Sequence, residues 1–220
     1  MRDEHAEARR IKALYATQRK LYRAGYCAIA GIDEVGRGAC AGPVTVAACI
    51  LDRSCDYLEG LDDSKALSPR KRTLLAAKIK DFSVAYTIVH KPNDLIDERG
   101  INATLAIAQI ECIDTLDVVP DKILIDGIAL GKGLGRGEEY VVKGDATVAC
   151  IAAASILAKV ARDQLMIQIA KDDPRYTLYG FAQNKGYGTA LHREAIEAHG
   201  LLPLHRRTFC TNFTLPSTNN

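Results

Sequence analysis

The order of hydrophobic and polar positions predicts a chain in which strands and helices follow one another. Apolar runs of strand length end at charges or turns at residues 28–33, 43–51, 83–90, 122–126 and 140–143. Apolar residues recur at helical spacing over residues 1–24, 101–116, 147–171 and 189–199. A further helix is expected from Pro69, because Pro suits a first helical turn and Ser68 can act as its N-cap. The first two strands are joined by a short Gly-rich turn, so we expect an antiparallel hairpin within a mixed sheet covered by helices.

The first 24 residues differ from the remainder in charge. They hold seven basic and three acidic residues, whereas the whole chain of 220 residues has a formal net charge of only +2. We predict an N-terminal basic helical extension at residues 1–25, a main domain at 26–210 and a flexible tail at 211–220. Two roles stay open for the extension, a solvated appendage or a helix that grips an acidic partner.

Composition narrows the class of protein. With 48% hydrophobic and 25% charged residues, the chain is expected to be globular and neither disordered, collagen-like nor a coiled coil. No apolar run approaches the roughly 18 residues of a membrane-spanning helix. The seven cysteines form no C-x-x-C pair and several lie in apolar runs, which predicts free thiols in a reducing cytoplasm. The near-neutral charge by itself gives little support to nucleic-acid binding.

Four carboxylates stand beside glycines at predicted strand ends and turns: Asp33, Glu34, Asp126 and Asp145. Open α/β sheets bind ligands at strand ends, and a cluster of carboxylates favours a hard divalent cation such as Mg²⁺ or Mn²⁺. Pairs of such ions cut phosphodiesters. Each residue also has a structural alternative, since Asp145 could be a helix N-cap and Asp126 a turn residue. Asp33 and Glu34 point to opposite faces of an ideal strand, so they share a site only if the strand ends or bulges there.

The segment GIDEVGRG at residues 31–38, followed by AGPV at 41–44, resembles the opening motif of the type 2 ribonucleases H, the ribonuclease HII family. Further segments are similar to that family's motifs and occur in the same order: LDDSK at 61–65, IDG at 125–127, VKGD at 142–145, AASILAK at 153–159 with Arg162 and Asp163, KGYGT at 185–189 with His192, and HRRTF at 205–209. Thr208 stands where the family commonly has Ser, and it keeps the hydroxyl group. The resemblance extends over residues 26–210.

The resemblance implies an α/β, RNase H-like fold, with a mixed five-stranded sheet flanked by helices and a small C-terminal helical part. It implies an endonuclease that cuts the RNA strand of RNA–DNA hybrids, and we expect the enzyme to be a monomer. It further implies incision 5′ to ribonucleotides embedded in duplex DNA, leaving 3′-hydroxyl and 5′-phosphate ends. The four acidic positions correspond to Asp33, Glu34, Asp126 and Asp145, which would be the ligands of two Mg²⁺ or Mn²⁺ ions and the catalytic residues.

Substrate recognition is expected to depend on the 2′-hydroxyl group, which distinguishes RNA from DNA. The turn Gly36-Arg37-Gly38 suits this role, because glycines allow close approach of the backbone and Arg binds phosphate through a fork of donors. A plain Gly-rich hairpin turn is the alternative. By resemblance, Tyr187 would stack on the sugar of the deoxynucleotide 3′ to the ribonucleotide; a packed core tyrosine is the alternative. Candidate phosphate contacts, each of which could instead be merely solvated, are Lys65, Lys143, Lys185, Arg206 and Arg207.

The sequence also allows two alternative functions and one apparent metal-binding pair of histidines. A catalytically silent hybrid-binding protein is disfavoured, because a pure binder has no use for clustered carboxylates near phosphates. A two-metal nuclease acting on DNA junctions is disfavoured, because the Gly-Arg-Gly turn and Tyr187 match a ribose-sensing role. His192 and His199 lie seven residues apart on one predicted helix, but without a third ligand nearby we expect capping or surface roles and no zinc site.

Overall fold

The computed structural model describes residues 2–53, 57–61, 67–129 and 131–213, with side chains from residue 5 onward. Its strands form a five-stranded sheet: β1 (Ile29–Val35), β2 (Val44–Leu51), β3 (Ser83–Lys91), β4 (Lys122–Asp126) and β5 (Glu139–Val141). The spatial order is β3-β2-β1-β4-β5. The pairs β1–β2 and β2–β3 are antiparallel, whereas β1–β4 and β4–β5 are parallel. The predicted mixed sheet and its N-terminal hairpin are therefore confirmed.

Ten α-helices and a 3-10 turn occupy the described part of the chain: α1 (Arg2–Leu14), α2 (Ala16–Arg23), α3 (Pro69–Asp81), α4 (Asn93–Arg99), α5 (Ile101–Asp114), α6 (Gly144–Thr147), α7 (Ala149–Asp172), α8 (Pro174–Leu178), α9 (Phe181–Asn184), α10 (Ala190–His199) and the 3-10 helix Arg207–Phe209. Ser68 caps α3 as predicted, since its side chain accepts a hydrogen bond from the Lys71 amide. The sequence pattern missed α4, α6, α8 and α9, because elements of four to seven residues are too short to show a helical period. None of the described helices is long and apolar enough to cross a membrane.

Two hydrophobic layers cover the sheet, with α7 on one face and α5 on the other. Alternate residues of β1 point to the two layers, so that Ile29 joins the α7 layer and Ala30 joins the α5 layer. Gly31 permits the close approach of α7, because a Cβ atom built there would lie 2.2 Å from the Cys150 carbonyl carbon. The central helix is thus seated directly against the strand that carries Asp33 and Glu34.

The N-terminal extension forms two helices where the periodicity predicts one, with Tyr15 between α1 and α2. Ile11 and Leu14 are buried in the α7 layer. Gln18 is also buried, and its side-chain oxygen accepts a hydrogen bond of 2.8 Å from the Cys150 amide. Because α7 has no side-chain cap of its own, Gln18 supplies one to its first turn. The extension therefore packs against the main domain and is not a solvated appendage, while a role in gripping an acidic partner stays a prediction.

The C-terminal helices α8, α9 and α10 pack around a third apolar cluster beside α7. Met166 of α7 and Ala41, from the connection between β1 and β2, belong to this cluster. It therefore joins the C-terminal helical part to the Gly-rich turn. Of the predicted tail at 211–220, residues 214–220 lie outside the described residues.

Candidate active site

The four predicted carboxylates come together where parallel strands end. Pairing of β1 with β4 runs to Ile32 opposite Ile125, so Asp33 and Asp126 follow side by side at the same edge of the sheet. Glu34 is the next residue of β1, and Asp145 lies in the first turn of α6, just after β5. All four side chains line a single cavity of about 420 Å³.

Asp33 and Glu34 reach this cavity without the strand end or bulge that the sequence argument required. Strand β1 continues to Val35, which still pairs with Thr45 of β2 in unbroken register. The ladder to β4, however, stops at Ile32. From Asp33 onward, the edge of β1 that faces β4 is therefore not paired with that strand. The cavity lies at this edge, and both carboxylates line it.

Burial and mutual repulsion dominate the electrostatics of the β1 carboxylates. Asp33 is only 6% exposed, and burial raises its pKa well above the ordinary value, with the charge of Glu34 adding to the rise. Hydrogen bonds from Ser155 and from the Glu34 amide, the latter 2.7 Å long, act in the opposite direction. Burial likewise raises the pKa of Glu34, while Arg37 lowers it and Asp126 raises it. The site therefore carries negative charge that its own cations do not fully balance.

Asp126 and Asp145 are placed by the backbone around α6. One oxygen of Asp126 accepts hydrogen bonds from the amides of Gly144, at 2.6 Å, and of Asp145, at 3.3 Å. The long helix α7 begins later, after Val148, with no side-chain acceptor at its N-cap. Asp145 is thus not the N-cap of the long helix, and its buried side chain lines the cavity instead.

The donor set suits a hard divalent cation. It consists of carboxylate oxygens, the ligands that Mg²⁺ and Mn²⁺ favour, and the raised pKa values of Asp33 and Glu34 mark charge that a cation would stabilise. Across the described residues, no three His, Cys, Asp or Glu side chains are grouped tightly enough to hold a metal ion as they stand.

The Gly-rich turn lies at one side of this cavity. Gly36 has a φ of +88°, and a Cβ atom built there would lie 2.2 Å from Nε of Arg162. The half-exposed side chain of Arg37 donates to Oδ1 of Asn102 at 3.0 Å and lies 3.6 Å from the carboxylate of Glu34. Gly38 faces open space. The turn therefore presents backbone and a guanidinium group directly beside the acidic cluster.

Arg162 links this turn to Tyr187, which lines the cavity. The Arg162 side chain is fully buried and donates hydrogen bonds to the carbonyl oxygens of Pro43 at 2.8 Å, Ala41 at 3.1 Å and Lys185 at 2.8 Å. Its guanidinium carbon also lies 5.4 Å from the centroid of the Tyr187 ring. The two segments expected to recognise the substrate are thus held by one buried side chain.

The predicted cationic contacts have different environments. Lys65 lies outside the described residues, whereas Lys143 and Arg207 are exposed. Lys143 adopts a left-handed backbone conformation with φ of +56°, just before α6. Lys185 is half-buried, its ammonium group donates to the Ala182 carbonyl oxygen, and burial lowers its pKa. Lys143 and Arg207 are thus the two of these residues free to reach into solvent.

Arg206 corrects the sequence prediction of a phosphate contact. Its side chain is fully buried, with Nε donating to the Gly42 carbonyl oxygen at 2.9 Å and Nη1 to the Arg37 carbonyl oxygen at 3.1 Å. A guanidinium group in this position supports the Gly-rich turn from inside the protein. The sequence pattern could not show this, because an arginine is normally expected at the surface.

Ser155, Lys159 and His192 are site or supporting residues that sequence reasoning did not assign. Ser155 and Lys159 line the cavity from one face of α7, four residues apart. The available signal was a serine inside the apolar run 149–158. His192, expected at a surface or cap, is instead fully buried beside His205. Asp163 pairs with Lys159 at 2.7 Å and does not line the cavity.

Comparison with known proteins agrees with this geometry. The family model described as ribonuclease HII matches residues 30–212. The ribonuclease HII of Moorella thermoacetica is 47% identical over 209 residues, covering 95% of this chain and 99% of the relative. That of Endomicrobium trichonymphae is 43% identical over 196 residues, covering 89% and 91%. The crystal structure of ribonuclease H2 from Pyrococcus horikoshii OT3 superposes with a TM-score of 0.69 at 28% identity, covering 83% of this chain and 93% of that one. The chain therefore belongs to the ribonuclease HII family, hydrolytic nucleases that cleave RNA in RNA–DNA hybrids.

Proposed function

We propose that this ribonuclease H also incises duplex DNA on the 5′ side of embedded ribonucleotides, leaving 3′-hydroxyl and 5′-phosphate ends. The reaction would use two divalent ions, Mg²⁺ or Mn²⁺. The observation that carries the proposal is the single cavity lined by four carboxylates and by Tyr187. It combines a centre suited to phosphodiester hydrolysis with an aromatic side chain suited to a sugar.

The carboxylates Asp33, Glu34, Asp126 and Asp145 would hold the ions. When bound, such ions lower the pKa of a water molecule and neutralise charge on the departing 3′ oxygen. The chain itself fixes the ligands: Ser155 donates to Asp33, and the first turn of α6 donates to Asp126. These contacts orient the carboxylate oxygens before substrate arrives, which reduces the reorganisation required during catalysis.

Recognition of the ribonucleotide is assigned to the Gly-rich turn and Tyr187. At Gly38 no atom lies within 4 Å of a built Cβ position, so a sugar can approach the backbone closely. Arg37 is half-exposed and can bind a phosphate through its fork of donors. Tyr187 would stack on the neighbouring deoxyribose, so that the site senses the RNA–DNA junction. Lys143 and Arg207 remain candidate phosphate contacts.

The rival functions fit the site less well. A silent hybrid-binding protein would gain nothing from Asp33 and Glu34, since buried carboxylates near a phosphate backbone oppose binding unless cations lie between them. A nuclease for all-DNA junctions would not need the backbone access at Gly38.

One assay separates these possibilities. A labelled DNA duplex with one ribonucleotide is incubated with the protein and Mg²⁺ or Mn²⁺, and the cut is mapped at nucleotide resolution. We expect a single cut 5′ to the ribonucleotide and none in an all-DNA duplex. Absence of incision, or equal cutting of both duplexes, contradicts the proposal.

Asp126→Asn tests the metal site within the same assay. The amide cannot supply the second anionic oxygen, so cutting should be abolished while the duplex is still bound. Asp172→Asn is a matched control, because Asp172 is exposed and lies about 20 Å of ideal helix beyond Lys159. Full activity of Asp126→Asn removes Asp126 from the catalytic centre.

We further propose that the chain acts as a monomer in a reducing compartment, the cytoplasm. The cavity lined by the four carboxylates and Tyr187 is formed without a second chain, and the six described cysteines are free thiols. Light scattering at assay concentration should give the mass of a single chain of 23.9 kDa. A stable dimer under those conditions contradicts the first part of this proposal.

A further inference from the structure

Tyr187 follows a residue whose backbone is held on both sides: the Gly186 amide donates to the Asn184 side chain at 2.8 Å, and its carbonyl oxygen accepts from the amides of Cys40 and Ala41 at 2.8 and 3.1 Å. Tyr187 itself stands between Gly186, with a φ of +82°, and Gly188. Glycines by themselves give a backbone wide conformational freedom. The direction in which the ring faces the cavity therefore depends on these and other contacts from elsewhere in the fold.

A pair of histidines provides such a contact. Nδ1 of His192, on α10, lies 2.9 Å from the carbonyl oxygen of Tyr187. Nε2 of His192 lies 3.0 Å from Nε2 of His205. Nδ1 of His205 lies 2.8 Å from the amide nitrogen of Leu202 and 3.1 Å from its carbonyl oxygen. The Tyr187 carbonyl oxygen also accepts a hydrogen bond of 2.8 Å from the Thr189 amide. The histidine chain is thus the side-chain support of this carbonyl group.

The tautomers of both rings follow from this chain of contacts. A carbonyl oxygen only accepts, so the proton of His192 is on Nδ1 and its Nε2 is an acceptor. His205 then donates from Nε2, and its Nδ1 accepts from the Leu202 amide, which lies nearer to it than the Leu202 carbonyl oxygen. Each nitrogen of the two neutral rings has a partner, and protonation of either ring would remove an acceptor from the chain.

The surroundings keep both rings neutral. His192 is 0% and His205 2% exposed, and both pack edge-on or tilted against the rings of Tyr179 and Phe181. Burial lowers the pKa of both imidazoles, that of His205 to about 4. Such a chain is rigid, because every donor and acceptor is satisfied inside a packed aromatic cluster.

His205 in turn contacts the connection between β1 and β2, which contains the Gly-rich turn. It forms a β-bridge with Ala41, and the residues on either side of it bond to the same connection. The Gly42 amide donates to the Leu204 carbonyl oxygen at 2.9 Å, and the Arg206 amide donates to the Cys40 carbonyl oxygen at 2.8 Å. A continuous set of contacts therefore runs from the Gly-rich turn through His205 and His192 to Tyr187.

We propose that His192 and His205 are positioning residues that hold Tyr187 in a fixed relation to the Gly36–Gly38 turn, and that they thereby set the preference for a single embedded ribonucleotide. The inference rests on the proposed role of Tyr187 at the junction. A long RNA–DNA hybrid presents ribose at that position, so its cutting depends less on where Tyr187 stands.

The test compares two substitutions of His192 in the complete, metal-loaded enzyme. His192→Leu removes the donor to Tyr187, whereas the side-chain amide of His192→Asn can still donate to it. The measured quantity is kcat/KM for a duplex with one ribonucleotide, divided by kcat/KM for a long hybrid. We expect this ratio to fall about threefold to tenfold in the Leu variant, mainly through KM, as for one lost hydrogen bond. The Asn variant should recover most of the loss.

His199→Leu is the matched control, since His199 lies on the same helix but is exposed. It should leave the ratio unchanged. If the Leu variant lowers both rates in equal proportion, or keeps the wild-type ratio, the positioning role is wrong while the proposed function stands. If the wild-type enzyme does not cut the embedded ribonucleotide, the proposed function fails and this inference fails with it.

A second measurement avoids substitution altogether. Nitrogen-15 NMR of the folded wild-type protein at neutral pH reports which ring nitrogen of each histidine carries the proton. We expect Nδ1–H for His192 and Nε2–H for His205. The opposite tautomer at either ring overturns the proposed chain of contacts, whatever the variants do.

Discussion

Gly31→Ala should destabilise the protein without touching any residue assigned to catalysis. The Cβ atom would lie 2.2 Å from the Cys150 carbonyl carbon, 2.4 Å from the Ile151 nitrogen and 2.5 Å from the Cys150 carbonyl oxygen. All three are backbone atoms in the first turn of α7, so no side chain can rotate away and the helix itself must move. Overpacking of this kind costs about 1–3 kcal/mol, and backbone contacts favour the upper end of that range. A loss of about 3 kcal/mol lowers the Tm of a domain of this size by roughly 6–12 °C.

The measurement is thermal unfolding followed by circular dichroism, with urea unfolding at 25 °C to obtain the free energy. Gly38→Ala is the matched control, since a Cβ atom at Gly38 meets nothing within 4 Å. It should keep the wild-type Tm but weaken binding of the ribonucleotide-containing duplex, because under the proposed function the added methyl group would face the substrate. The two variants thus separate stability from recognition.

An unchanged Tm for Gly31→Ala refutes the reasoning, because it would mean that α7 can withdraw from β1 at no cost. Equal destabilisation by Gly38→Ala would also refute it, since the loss would then reflect glycine replacement in general.

Three further outcomes are expected. Gln18→Ala should lower the free energy of unfolding, measured in urea, by about 1–2 kcal/mol, because the buried Cys150 amide loses its acceptor. Gln168→Ala, at an exposed position, should be nearly neutral. Equal effects of the two substitutions would show that Gln18 does not cap α7. The folded-state pKa of His205 is about 4 against an ordinary 6.5, so its neutral form contributes stability that is complete above pH 6.5 and is lost progressively as the pH falls from 6.5 to 4. Lowering the pH from 7.5 to 5 should cost wild type about 2 kcal/mol more than His205→Gln, and parallel pH curves would contradict this. Added Mn²⁺ should raise the Tm of wild type but raise it less in Asp145→Asn, and identical shifts would place the ion elsewhere.

Much of the fold could be predicted from local sequence patterns, because the burial of each strand and helix determines the pattern of apolar residues within it. The apolar run 122–126 predicted β4 with its observed bounds, and Ser68 before Pro69 predicted the start of α3. The alternation of β1 between two buried layers is likewise visible in the residues themselves. The four carboxylates could be proposed together because each lies near a glycine at a predicted strand end or turn, and strand ends are positions that a sheet brings to one edge.

The same patterns misplaced the residues that support the site. Arg206 was expected at a phosphate and is buried under the Gly-rich turn, while His192 was expected in a capping or surface role and is buried against His205. Both are polar side chains whose burial depends on partners far away in the sequence. A sequence pattern records the average preference of a residue type for solvent and not the acceptor that a particular side chain will find.

The sequence by itself determined the order of the strands and of the longer helices, the layered sheet and the residues of the acidic cluster, because burial along each segment and the motif residues are local properties. Only the tertiary structure decided which groups, distant in sequence, form hydrogen bonds with one another. Gln18 meets Cys150 across 132 residues, and Arg162 meets Ala41 across 121. Such pairs form because buried hydrogen-bonding groups must be satisfied wherever packing brings them, and packing is decided by the whole chain at once.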